Sequence, residues 1–206
     1  MKKIFILNAF LFLLFFKLNA QTKKDRLHQY RNFPIIATIQ FHSLGPPFHK
    51  MEQNFSNIGF TIGTEISLNG THRWIQQLHA GEYTNHNAGN GWMIYTQTAY
   101  RPYLIGKLMG EVKVGVGWMM AMHPVDAYKF ENGNWVNKGI KGKSMLMIPL
   151  SISLSYDDYK IGTYFSPFIT YQVFINGVYN QSFPIMLNSI IQVGIRIHLK
   201  NKKDIK

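Results

Sequence analysis

The sequence predicts an all-β chain that crosses a lipid bilayer as a closed, antiparallel, up-and-down barrel of about eight strands. Three observations predict it: an N-terminus built for export with no later apolar run of helix length, eight segments with period-two alternation, and connections whose lengths alternate along the chain.

Export comes first. Lys2 and Lys3 precede an apolar run from Ile4 to Phe16, which Lys17 ends before Leu18-Asn19-Ala20. A membrane-spanning helix needs about 20 apolar residues, so the run fits a secretory signal peptide over residues 1–20, with cleavage expected between Ala20 and Gln21. Residues 21–206 then form a single barrel domain. The chain has no cysteine, which excludes a disulfide framework and a lipid anchor on cysteine. Its net charge of +12 gathers near the ends, at Lys23, Lys24, Arg26 and Arg31 and at Lys200, Lys202, Lys203 and Lys206. An exported basic chain meets anionic lipid headgroups first, so outer-membrane lipid is the expected partner and nucleic acid is not.

Alternation marks strands near 33–42, 58–68, 73–84, 91–101, 107–122, 145–156, 159–175 and 184–199. In the fifth, Leu108, Val112, Val114, Val116 and Trp118 share one face, and Glu111, Lys113, Gly115 and Gly117 the other. A two-residue turn at Asp157-Asp158 is expected to pair Tyr156 with Tyr159 and Leu154 with Ile161. That register puts Ser151, Ser153, Ser155, Ser166, Thr170 and Gln172 on one polar face. The third and fourth segments leave their phase open, because Gln76 or Gln77, and Tyr95, fit either side.

The connections 43–57 and 123–144 are long, 85–90 and 176–183 intermediate, and 69–72, 102–106 and 157–158 short. All the short ones fall at the same end, as the periplasmic turns of outer-membrane barrels do. The composition of the polar face, mostly Gly, Ser, Thr and Gln, suits a packed lumen better than the charged outer surface of a soluble barrel. The apolar face runs past the roughly 9 to 11 residues that a tilted strand needs to cross hydrocarbon. Tyr100, Tyr103, Trp118, Tyr156, Tyr159 and Tyr171 are expected in the interfacial aromatic girdles.

The closing stretch "QVGIRIHL", with Gln192, Gly194, Ile197 and Leu199, resembles the assembly signal of outer-membrane barrels. It departs from the commonest form in its two aliphatic positions and in the tail "KNKKDIK" that follows. With the signal peptide and eight strands, the chain resembles the small barrels of the OmpA or OmpX type. The resemblance implies the outer membrane of a Gram-negative bacterium and insertion by the barrel-assembly machinery. Such barrels serve as anchors, adhesins, immune-evasion proteins, small channels and lipid-modifying enzymes, so activity does not follow from fold.

Two groups of residues stand out as candidate sites. Glu65, Arg101, Glu111, Lys113 and Arg196 are expected in the lumen toward the periplasmic half, with Gln97 opposite Glu111, where opposite charges pair to offset desolvation. In the long loop His123 to Ser144, Asn132-Gly133 between "YKF" and "WV" reads as a small hairpin that carries Tyr128, Phe130 and Trp135. Exposed aromatics there would suit an extracellular partner. The eight histidines show no metal-ligand spacing, so no metal and no cofactor is expected. His42-Ser43 and His79 with Glu82 are the pairs that a lipid-modifying enzyme could use. The expected function is therefore a structural or surface-interaction role through extracellular loops. The alternatives are a narrow ion or solute channel and, third, that lipid-modifying enzyme.

Overall fold

The computed structural model describes residues 30–44, 55–85, 89–122, 126, 128–131, 133–137, 139, 142–160, 162–177 and 185–200. The expected signal peptide and the basic residues Lys23, Lys24, Arg26, Lys202, Lys203 and Lys206 lie outside them. The strands are β1 (Ile35–Leu44), β2 (Ile58–Ser67), β3 (Trp74–Tyr83), β4 (Gly91–Tyr100), β5 (Tyr103–Ile105), β6 (Leu108–Met122), β7 (Tyr128–Glu131), β8 (Asn134–Asn137), β9 (Gly142–Tyr156), β10 (Tyr164–Gly177) and β11 (Ile185–His198). Eight long strands, β1 to β4, β6 and β9 to β11, pair antiparallel with their neighbours in sequence. β1 also pairs with β11, from Ile35 opposite Ile197 to Leu44 opposite Asn188, which closes the sheet into a barrel. Short β5 doubles back onto the start of β6, and β7–β8 is a separate hairpin.

Closure leaves the eight long strands without an edge, so each can satisfy its backbone groups without water. The outward face is the apolar one. Ile62, Val112, Val116, Leu146, Ile152 and Ile169 are all exposed on it, a band that fits hydrocarbon and would be an aggregation surface in water. Trp74, Tyr100, Tyr103 and Tyr156 sit at its short-turn rim, and Trp92 and Trp118 at the other. Tyr171 departs from the girdle expectation: it lies mid-strand in β10, opposite Ile152 and Ile191. Tyr159 leaves the band too, lying in the β9–β10 connection beneath the Arg31 guanidinium.

The expected turn at Asp157-Asp158 is replaced by a longer connection, 157–163. Leu154 pairs with Ile169 rather than Ile161, and Ser155 with Phe168. The two acids fasten this connection to the neighbouring one instead of forming a tight turn. Asp157 is drawn inward, its backbone N–H donating to the Lys107 carbonyl and its carboxylate accepting from the Tyr103 hydroxyl at 2.9 Å. Asp158 pairs with Lys107 and Lys160. The change of register spans an even number of residues, so the faces survive: Ser166, Thr170 and Gln172 do point inward.

The phase of β3 and β4 is settled by hydrogen bonding. Gln77 and Tyr95 face the lumen, while Gln76 faces outward and bonds Thr96 and Thr98 on β4 at 2.6 and 2.7 Å. That small polar group on the apolar face satisfies itself.

Lumen content changes along the barrel axis. The short-turn half is polar, as expected from alternation. The long-loop half is mixed: Tyr83, Met93, Met119, Met145, Met147, Phe174 and Ile190 form a buried apolar plug there, with His42, Asn57, Asn85, Asn176 and Asn188 also buried in that half. Gly194 shows how tightly the interior fills, since a Cβ at that position would come within 2.5 Å of Thr38 Cγ2 and 2.6 Å of the Phe168 ring.

Candidate functional site

All five charged residues expected in the lumen meet in one buried cluster at the short-turn end. The ladder explains why. Glu65 lies near the end of β2, Arg101 just beyond β4, Glu111 and Lys113 near the start of β6, and Arg196 near the end of β11. Arg101 donates to Glu65 through both terminal nitrogens, at 3.0 and 2.8 Å, the planar fork that guanidinium and carboxylate share. Its Nε lies 2.9 Å from Glu111. Arg196 donates to both Glu111 oxygens, at 2.6 and 2.9 Å, and Lys113 approaches the same carboxylate at 3.1 Å. Two neutral donors complete the acids: Gln77 gives its amide N–H to Glu65 at 2.6 Å and Ser155 its hydroxyl to Glu111 at 2.9 Å. Phe168 covers the Arg196 guanidinium, 4.4 Å from the ring centroid.

Gln97 is not opposite Glu111. It pairs across the sheet with Gly115 and donates to Ser151 at 3.0 Å, one layer further along the lumen. The register set by β4 and β6 brings Arg101, not Gln97, to Glu111.

Sequence reading missed the residue that caps the cluster. Tyr30, ahead of β1, is buried and its hydroxyl donates to Glu65. Burial and the adjacent Glu65 carboxylate raise that hydroxyl well above its ordinary value, so it stays a donor. The segment around it crosses the short-turn mouth: the Tyr30 N–H donates to the Gly70 carbonyl, and Arg31 reaches the Gly162 carbonyl at 2.6 Å while stacking over Tyr159 and Tyr164. A lone tyrosine outside any alternating segment carries no pattern, which is why the strand signal passed over it.

Hydrogen bonds from Lys107 and Lys160 hold the exposed Asp158 carboxyl below its ordinary 3.8. A carboxyl depressed in the folded chain contributes stability above that ordinary value and loses it as pH falls through the folded one. Asp158→Asn should therefore flatten the acid limb of the stability-versus-pH curve slightly, measured by chemical unfolding between pH 3 and 6 (about the carboxylate range). An acid limb identical to wild type would contradict the linkage.

The second candidate site is the β7–β8 hairpin. Phe130 stands opposite Trp135 across a turn that ends on Gly133, whose φ of 82° is open to glycine and strained for other residues. Tyr128, Phe130 and Trp135 are 60, 57 and 70% exposed, and the Phe130 and Trp135 rings pack edge to face at 5.3 Å. They share one face of the hairpin, and that face is open to solvent.

The residues of the expected assembly signal fall on β11 and just past it. Gln192 and Gly194 face the lumen, Gln192 bonding Gln40 at 3.1 Å, while Ile197 faces outward and the exposed Leu199 follows the strand end.

His42 and His79, the histidines of the enzymatic alternative, do not meet. His79 pairs with Gly63 and through it with Ile36, six residues from His42, or about 20 Å along the strand at ~3.3 Å per residue. His28, His49, His86 and His123 lie outside the described residues.

A closed eight-stranded ladder, an apolar exterior band and a filled lumen define a small transmembrane β-barrel of the outer-membrane kind. A solved structure agrees with that fold. Neisserial surface protein A (NspA) superposes with a TM-score of 0.55 at 10% identity, over 81% of this chain and 97% of that one. The N-terminal β-barrel domain of Pseudomonas aeruginosa OprF aligns at 0.41 and 13% identity over 79% and 96%, and the Yersinia pestis outer membrane protein Ail at 0.38 and 11% over 80% and 99%. No protein-family model matches the chain, and neither does any curated protein.

Proposed function

We propose that the chain is an outer-membrane barrel whose work is contact at the cell surface, made through its extracellular loops and centred on the β7–β8 hairpin. The carrying observation is the exposed aromatic face of Tyr128, Phe130 and Trp135 on a two-stranded mount. Buried aromatics are what interfaces use as anchors, and a hairpin loses little conformational freedom when it docks. The long-loop end is extracellular in this reading, because outer-membrane barrels keep their short turns in the periplasm. Insertion by the barrel-assembly machinery through the β11 signal belongs to the same proposal.

A decisive measurement applies the purified barrel in nanodiscs to arrays of glycans and extracellular-matrix proteins. Truncating a true anchor costs about 2 kcal/mol or more, so the combined Tyr128→Ser, Phe130→Ser and Trp135→Ser variant should bind at least tenfold more weakly than wild type. Binding that is unaffected by all three changes would reject the hairpin as the contact surface.

The channel alternative finds less support, since a buried ionic cluster and an apolar plug occupy successive layers of the lumen. Planar-bilayer recordings are expected to be flat for wild type. Catalysis is likewise not proposed. Its two histidines lie far apart, and His42 and Ser43, being consecutive in a strand, point to opposite faces.

A further inference from the structure

The long-loop half of the lumen holds a chemistry that neither the hairpin nor the ionic cluster uses. Met93 in β4 stands opposite Met119 in β6, and Met119 stands opposite Met145 in β9. Three thioethers therefore lie side by side on adjacent strands, facing inward. Met147, two residues along β9, faces the same way, and all four are at most 3% exposed. Adjacent strands are only about 4.8 Å apart, and methionine side chains have three rotatable bonds, so these sulfurs can converge on one point.

An imidazole borders the row. His42 is fully buried and stacks on Tyr83 with centroids 3.9 Å apart, while the Tyr83 hydroxyl reaches Met119 Sδ at 3.7 Å. Ile190, the ladder partner of His42, belongs to the same apolar cluster. His42 Nδ1 lies 2.9 Å from the Asn85 amide, and Nε2 has no hydrogen-bond partner among the described residues. Histidines that bind metals through one nitrogen commonly donate the other ring N–H to a carbonyl. An amide flip at Asn85 supplies that carbonyl and leaves Nε2 as a free lone pair.

We propose that Met93, Met119 and Met145, together with His42 Nε2, bind a soft monovalent cation of the Cu(I) class inside the barrel. Thioether and imidazole are the ligands that favour Cu(I), whereas hard divalent ions take carboxylate and carbonyl oxygens. The neutral ligand set matters as well. A singly charged ion loses far less hydration energy than a dication on entering a buried layer, and among the described residues the buried ones of this half include no Asp, Glu, Lys or Arg. The site lies near the ends of β4, β6 and β9 that lead to the 84–90 and 123–141 connections, so the ion enters from the long-loop side.

The test titrates Cu(I), without oxygen, into the folded full-length barrel in detergent against a competing chromogenic chelator. Wild type should take up a single equivalent, with sulfur scatterers in its X-ray absorption spectrum. Met119→Leu and Met145→Leu conserve volume, and His42→Phe keeps the stack on Tyr83. Each should weaken binding by about tenfold or more, on the scale seen when metal-site residues are lost. Migration of unheated samples on gels shows that each variant is folded. Three results overturn the proposal: no uptake by folded wild type, copper ligated by nitrogen and oxygen only, or undiminished affinity when Met93, Met119 and Met145 are all leucine. Should that triple variant fail to fold, the absorption spectrum of wild type decides alone.

Discussion

Glu111→Gln is expected to destabilise the barrel by about 3 to 5 kcal/mol, the cost of breaking a buried ion pair from one side. Glu111 is the carboxylate on which Arg101, Arg196 and Lys113 converge, and all four side chains are buried. Without it, Glu65 alone faces three cations that water cannot reach. Ser155→Ala serves as the comparison, because it removes one neutral donor from the same carboxylate and should cost only about 1 kcal/mol. Reversible urea unfolding in lipid vesicles reads both. A Glu111→Gln barrel within 1 kcal/mol or so of wild type would mean that the lumen is wet at this level.

The second large effect belongs to the outer face. Leu150→Lys and Ile152→Lys, midway along β9 and facing hydrocarbon, should each cost roughly 2 to 4 kcal/mol in the same assay. Thr163→Lys, exposed on the β9–β10 connection, should cost almost nothing. Alternation alone would offer Ser151→Lys as the harmless control on the opposite face, but Ser151 is buried and accepts a hydrogen bond from Gln97, so a lysine there overfills the lumen. Equal costs at Ile152 and Thr163 would show that the apolar band does not meet lipid.

Most of the barrel was legible because period-two alternation and lipid exposure are one signal seen twice. All eight long strands were placed within a few residues of their observed positions, except the start of β10. That strand begins at Tyr164, and Asp157 and Asp158 misled because two adjacent acids look like a turn when their partners, Tyr103 and Lys107, are some 50 residues away in sequence. The charged cluster was legible for a related reason: five ionisable residues on one predicted inner face have nowhere to go but one another. Tyr30 was not, since its role depends on a chain segment crossing the mouth, which no periodicity encodes. Nor was the apolar plug, because methionine in a strand reads as lipid-facing until the register places it inside.

The Glu111–Arg196 pair joins residues 85 positions apart, in β6 and in the final strand. A barrel still lacking β11 therefore carries two acids whose basic ion-pair partners among the described residues are Arg101 and Lys113, beside an open seam through which water can enter. Arrival of the last strand supplies the missing guanidinium and shuts the seam in the same event. A chain with its final strand absent or misregistered therefore keeps a hydrated core whose charges are out of balance.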